Sequence, residues 1–163
     1  MTKKETKAAV AQVKMKALAQ FVRDMSFENI VAQKGVAEIE IVPELKVAVA
    51  LDVNKHASEN QYELISKYSV SSTNKSNGDV LFLLEMEYGS IFHVEGVPEE
   101  QLHPFLLIEC PKFVFPFVRR IVSDITRDGG FEGVNLETID FVAVYREQLA
   151  LRAAQSTDNK PTI

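Results

Sequence analysis

The order of elements in this chain predicts an α+β fold, with strands in the first half and helices in the second. Three observations carry the prediction. Apolar side chains alternate with period two through residues 45–54 and 80–94. The turn signal Asn77-Gly78-Asp79 joins a strand over residues 61–73 to the strand that follows, as between antiparallel neighbours. From Pro98 onward the alternation gives way to helix starts and stops. There is no β-α-β alternation and no internal repeat.

Residues 1–16 read as a flexible arm. Its start, Met1-Thr2-Lys3-Lys4-Glu5-Thr6-Lys7, is basic, but Gln12, Lys14 and Lys16 break the run that follows, so no signal-peptide core forms. Residues 17–27 are ambiguous. Alanine and leucine favour a helix, whereas Leu18, Gln20, Val22 and Asp24 fit neither period. Residues 29–42 read as a long connection punctuated by Gly35 and Pro43.

The next strand places Leu45, Val47, Val49, Leu51 and Val53 on one face. In the strand over 61–73, Tyr62, Leu64, Tyr68 and Val70 are in phase. In the strand over 80–94, Val80, Phe82, Leu84, Met86 and Tyr88 form the inward set, with Leu81, Leu83, Glu85 and Glu87 opposite.

Pro98-Glu99-Glu100 starts the first helix, with acids beside the positive end of its dipole. Pro111 is expected to interrupt it, residues 113–127 to resume it, and Gly129-Gly130 to stop it. Pro111 and Pro116 stand five residues apart among Phe113, Phe115 and Phe117. This segment reads as a bent apolar helix start built for packing, because it offers no nucleophile with a base beside it. Asp140 is expected to cap a last helix over 141–154, and 155–163 to form a polar tail. The chain thus reads as one domain, residues 17–154, between two mobile ends.

The 163 residues, 46% of them hydrophobic, suffice for a real core. A net charge of −5 argues against a general nucleic-acid binder, which needs a basic face to displace counterions. The single cysteine excludes an internal disulfide framework and fits a reducing, cytoplasmic location. No stretch is long enough for a transmembrane helix, so no membrane insertion is expected.

Catalytic chemistry finds little support. His56, His93 and His103 lack metal-ligand spacing, and there is no C-x-x-C pair or phosphate-binding glycine loop. His103 and Cys110 form the one imaginable Cys–His pair, seven residues apart on one helix with nothing to orient the base. No catalytic residue, metal or cofactor is therefore expected. Two surfaces carry more weight. Leu83, Glu85 and Glu87 share a strand face that reads either as a solvated sheet surface or as a dock for a basic partner. The last helix carries two adjacent stripes, Phe141, Val144, Gln148, Leu151 and Val142, Tyr145, Leu149. They read either as a wide core face or as a second contact.

Several segments, in this order and spacing, resemble the bacterial protein-export chaperone SecB family. They are Asp24-Met25-Ser26-Phe27-Glu28, Pro43-Glu44-Leu45-Lys46-Val47, Gly89-Ser90-Ile91-Phe92, Cys110-Pro111 with Phe115-Pro116-Phe117 and Arg119, Gly129-Gly130-Phe131 with Asn135-Leu136, and Ile139-Asp140-Phe141. The resemblance implies a four-stranded antiparallel sheet with helices packed on one face, assembling into a homotetramer, a dimer of dimers. Residues 17–27 would then be the first strand. It implies a non-enzymatic, ATP-independent chaperone that binds unfolded precursor polypeptides and delivers them to SecA, the export ATPase. The matching SecA-binding positions are Asp24, Glu28, Leu83 and Glu85. Clients would lie in a groove of Ile41, Val42, Leu45, Phe141, Val144, Tyr145 and Leu149. Subunits would meet through Phe113, Phe115, Phe117, Ile121 and Ile125. Alternatives are a SecB-like chaperone dedicated to another client such as an antitoxin, and a structural oligomer that binds no client.

Overall fold

The computed structural model describes residues 12–35 and 40–158. Strand β1 (Lys14–Asn29) is followed by a short helix α1 (Ile30–Lys34), then by β2 (Pro43–Lys55), β3 (Gln61–Asn74) and β4 (Val80–Glu95). Helices α2 (Glu99–Asp128) and α3 (Phe141–Asp158) complete the chain. The strands form one antiparallel sheet in the order β1-β4-β3-β2. Two hairpins build β2-β3-β4, and the connection after β1 carries the chain from one edge of the sheet to the other.

β1 is a strand despite its helix propensity, and it begins at Lys14, ahead of the expected domain start at residue 17. Its pairing with β4 explains the ambiguous sequence. The register shifts between Ala17 and Ala19 and again between Val22 and Asp24. Each irregularity adds a residue and inverts the side-chain parity that follows, so no single period runs through the strand. Tertiary pairing then overrides local preference, with Met15, Ala17 and Phe27 packed against the core.

The β3–β4 turn forms as its sequence predicts. Gly78 has a positive φ of 78°, and the Asp79 N–H donates to Asn77 Oδ1 at 3.0 Å. The start of β4 differs from the expected alternation. Val80 is exposed and Leu81 is buried, the reverse of simple parity. The partner jumps from Phe82 opposite Ser72 to Val80 opposite Thr73, leaving Leu81 as the extra residue of a bulge. Downstream, Phe82, Leu84, Met86 and Tyr88 are buried as expected.

α2 also departs from expectation. Pro111 does not interrupt it: one helix of 30 residues contains Pro104, Pro111 and Pro116. Each internal proline removes one helix hydrogen bond and costs about 3 kcal/mol. Opposing that, Leu106, Leu107, Cys110, Val114, Phe115, Val118 and Val122 are buried in the core, and a fully buried apolar side chain of this kind contributes roughly 1.5–3 kcal/mol. The packed stripe outweighs the broken ladder. α2 stops at Gly129-Gly130 as predicted, with the Gly129 N–H donating to the Ile125 carbonyl at 2.9 Å. α3 is capped by Asp140, whose Oδ1 accepts from the Ala143 N–H at 3.1 Å. It continues through Asp158, past the helix end expected at 154.

The core lies between one face of the sheet and the helices. Tyr68, Phe82 and Phe92 from the sheet meet Val114, Val118 and Val122 of α2 and Phe141 of α3. Both long helices, α2 and α3, pack on this one face.

Candidate functional site

The sheet face opposite α2 and α3 gathers the four acidic-surface candidates. Residues opposite one another in an antiparallel pair share a face. Asp24 lies opposite Glu87, Ser26 opposite Glu85, and Glu28 opposite Leu83. Asp24, Glu28, Leu83 and Glu85 therefore form one contiguous patch across β1 and β4. Glu87, beside them, has partners at Arg23 (3.7 Å) and Lys67 (3.5 Å). Among the described residues Asp24, Glu28 and Glu85 make no ion pair. Glu85 accepts the Ser69 hydroxyl at 2.6 Å, which holds its carboxylate on the sheet. Leu83 is 37% exposed within this negative surround. The patch can dock a surface that carries cations around an apolar contact.

The client-groove candidates divide. Leu45 and Val47, on the outer edge strand β2, lie exposed and line an opening of about 480 Å³ with Asn135, Leu136, Glu137, Thr138 and Ile139. Ile41 lines a separate opening of about 340 Å³ with Ile30, Val31, Asn74 and Val80. Val42 is exposed, and its N–H donates to Asn74 Oδ1 at 3.1 Å. On α3, Tyr145 and Leu149 lie beside His103 and Leu107 of α2 with no open space between them, and Val144 is half-buried against the core. The Tyr145 hydroxyl lies 3.3 Å from His103 Nδ1.

Phe141 is different. It is 2% exposed and packs edge-on against Phe115 at 6.1 Å between ring centres. It is a core residue of its own chain here and lines neither opening. Its neighbour Asp140 caps the helix, so the first turn of α3 points Phe141 inward.

Phe115, expected at a subunit contact, is likewise buried within the chain. Phe113 and Phe117 are 43% and 41% exposed, with ring centres 6.2 Å apart, and Phe113 also packs edge-on against the buried Phe92 of β4 at 5.9 Å. Ile121 and Ile125 are half-buried against the core. The five candidates thus differ in exposure: Phe115 is buried, Ile121 and Ile125 are half-buried, and Phe113 and Phe117 keep exposed area. Apolar area left exposed on a packed helix is area that a second chain can cover.

Sequence reasoning missed two features. Nothing in the sequence marks residues 135–139 as a groove wall, because that role is defined only by where the loop returns against β2. The second is Gln148, read only as a member of an α3 stripe. Its Oε1 accepts from the Leu51 N–H at 2.8 Å, and its Nε2 donates to the Leu51 carbonyl at 2.9 Å. This fastens α3 to the edge of the sheet.

The Cys–His pair does not assemble. Cys110 is buried beside Met15, with 3.7 Å between the sulfurs, whereas His103 is exposed. Seven residues along a continuous helix separate them by about 10 Å. Burial, reinforced by the neighbouring Glu109 carboxylate, pushes the thiol up to about 12, so it carries no thiolate near neutrality. Among the described residues no cluster of histidine, cysteine and carboxylates suits a metal ion, and no helix is long and apolar enough to cross a membrane.

An antiparallel α+β chain with an acidic, leucine-centred sheet face and a mixed polar and apolar groove along a sheet edge belongs to the class of macromolecule-binding proteins. Its family can be stated. The profile of the family described as preprotein translocase subunit SecB matches residues 8–152, and the chain belongs to the SecB family, a family of protein-export chaperones. The protein-export protein SecB of Cereibacter sphaeroides is 58% identical over 154 residues, covering 94% of this chain and 93% of that one. That of Ruegeria sp. is 59% identical over 152 residues, covering 93% and 92%. Among solved structures, a Mycobacterium tuberculosis SecB-like chaperone in complex with a peptide from an antitoxin superposes with a TM-score of 0.61. At 13% identity, covering 77% of this chain and 90% of that one, it shares the fold.

Proposed function

We propose that this chain is an ATP-independent chaperone that binds unfolded precursor polypeptides in the cytoplasm, keeps them competent for translocation and hands them to the SecA ATPase. One observation carries the reading: an acidic patch and a groove lined by exposed Leu45 and Val47 lie on different parts of one sheet. The groove beside Leu45 and Val47 offers apolar burial to a client. The Asp24–Glu28–Leu83–Glu85 patch offers charge and one leucine to a folded partner. Each client side chain buried contributes at best roughly 1.5–3 kcal/mol, and ordering a flexible client removes much of that. A single groove is therefore weak and unselective. Several grooves on one oligomer raise avidity without reading a sequence. We assign Phe113 and Phe117, with Ile121 and Ile125 behind them, to the contact that builds a homotetramer, a dimer of dimers. The chain does no catalysis in this reading.

Native mass spectrometry tests it, with the purified protein alone and with an unfolded secretory precursor, without nucleotide. A tetramer that takes up the unfolded precursor and ignores its folded form is expected. A tetramer that takes up neither overturns the chaperone reading in favour of a structural assembly.

A further inference from the structure

Asn77 is followed by Gly78, and no other asparagine in the chain precedes a glycine. That pair allows a reaction without an enzyme. An asparagine side chain and the next backbone nitrogen can close a five-membered ring when no Cβ on the next residue stands in the way. Gly78 leaves that path open: it has a positive φ of 78°, and a Cβ placed there would meet nothing within 4 Å. Asn77 and Gly78 are both exposed, so water and base reach them.

Hydrogen bonds at this turn act in opposite senses. The Asp79 N–H donates to Asn77 Oδ1 at 3.0 Å, and Asn77 Nδ2 donates to Asp79 Oδ2 at 3.1 Å. The first holds the carboxamide beside Gly78 and stabilises the oxygen on which charge develops when its carbon is attacked. Opposing this, the Gly78 N–H, which must lose its proton to become the nucleophile, donates to the Asn74 carbonyl at 2.7 Å. The same turn holds the reactants together and restrains them.

The turn also fastens the chain that enters β2. Asn74 is 3% exposed, and its Oδ1 accepts from the N–H groups of Val42 and Ser76, each at 3.1 Å. The Lys75 N–H donates to the Val42 carbonyl at 2.8 Å. Ile41 shares its opening of about 340 Å³ with Asn77, Gly78 and Asp79.

We infer that Asn77 is a site of spontaneous deamidation, restrained by the Asn74 carbonyl, and that its product loosens the hold of the turn on Val42. The Gly78 nitrogen gives its proton to a solvent base and bonds to Asn77 Cγ. The Cγ–Nδ2 bond breaks, and Nδ2 leaves as ammonia. Water then opens the cyclic imide at either carbonyl. One opening gives aspartate at position 77; the other gives isoaspartate, with the main chain routed through the side-chain methylene. One water enters, one ammonia leaves, and nothing is oxidised or reduced. Either product loses the Nδ2 donor and sets a carboxylate against Asp79. Isoaspartate also lengthens the path from the Asn74 carbonyl to the Gly78 N–H.

Peptide mapping by mass spectrometry tests the site, on the full chain aged in warm, mildly alkaline buffer with and without urea, with released ammonia measured in parallel. Conversion is expected at Asn77 ahead of every other asparagine. It should run roughly tenfold faster in urea, where the Asn74 carbonyl no longer holds the Gly78 N–H. Asn77→Ser, which keeps an oxygen for the Asp79 N–H but has no carboxamide, should lose this fast ammonia release. Conversion led by another asparagine, or undiminished ammonia from Asn77→Ser, overturns the site. Equal rates with and without urea overturn the restraint. Amide hydrogen exchange on the separated isoaspartyl form tests the consequence. The Val42 and Ser76 amides should exchange roughly tenfold faster than in the unmodified chain. Unchanged Val42 and Ser76 amides overturn the link to the turn. If the isoaspartyl form loses protection throughout, freshly prepared Asn77→Asp, which carries the charge without the longer backbone, is measured instead, and an unchanged Val42 amide there overturns the link.

Discussion

The Thr126 hydroxyl accepts a hydrogen bond from the Val134 N–H at 3.0 Å while donating to the Val122 carbonyl at 2.8 Å. Thr126 is fully buried in the last turn of α2. This one side chain ties the end of the long helix to the loop that continues into the groove wall at residues 135–139. Thr126→Val keeps the shape but leaves a buried N–H without its acceptor. That should destabilise the fold by about 1–3 kcal/mol, measurable as a lower urea midpoint at unchanged slope.

Gly89 lies opposite Phe21 across the β1–β4 pair, and the Phe21 ring covers the space that a Cβ would occupy. Gly89→Ala should force the ring off the sheet and destabilise by about 1–3 kcal/mol, the usual range for overpacking. Phe21→Ala in the same chain should make the alanine at 89 nearly neutral. A double-mutant cycle by denaturant melting checks the coupling. Additive losses would place the cost of Gly89→Ala elsewhere.

Pro116 sits exposed in the middle of α2. Pro116→Ala restores an N–H for the Lys112 carbonyl and removes the ring clash. Thermal unfolding should rise, by an amount equivalent to about 1 kcal/mol or more. Client uptake should persist, because Pro116 lines neither opening.

Cys110 gives the stability of the chain a pH dependence of known sign. In the unfolded chain the thiol ionises near its ordinary value of 9.0, whereas burial holds the folded one protonated until about 12. The folded pKa is raised, so this contribution is fully present below pH 9 and is lost as pH rises from 9 toward 12. Tyr68, whose phenol burial also raises, acts in the same direction above pH 10. Denaturant midpoints should therefore fall between pH 9 and 11, and Cys110→Ala should flatten part of that slope. At pH 8 the native thiol should react with an aromatic disulfide reagent only at the rate of unfolding. Fast reaction of the native protein would show that the thiol is not held in the core.

On the acidic face, the proposed function predicts that Leu83→Arg and Glu85→Lys weaken SecA binding at least tenfold while leaving client uptake and melting unchanged. Exposed charges contribute little to folding, and removing a central apolar contact commonly costs more than 1 kcal/mol of binding. Calorimetric titration at two salt concentrations checks this. A loss of client uptake in the same variants would show that the two surfaces are not separate.

Much of this chain was legible before its structure. The parities of β2, β3 and most of β4, the Asn77-Gly78-Asp79 turn, the Asp140 cap and the Gly129-Gly130 stop follow from local chemistry, which each segment carries in its own residues. The acidic patch was half legible: Leu83 and Glu85 share a strand face by period alone, while Asp24 and Glu28 reached it only through resemblance to the SecB family. Pairing across strands decided the rest. The bulges in β1 erase its period, the extra residue Leu81 inverts the start of β4, and core burial carries α2 straight through Pro111. Facing inward or outward was likewise a tertiary matter. Phe115 and Phe141 turn toward each other, Phe113 packs on Phe92 while Phe117 stays exposed, and Gln148 meets Leu51 from 97 residues along the chain. Local sequence sets which face of an element is apolar, but only the packed structure decides what covers that face.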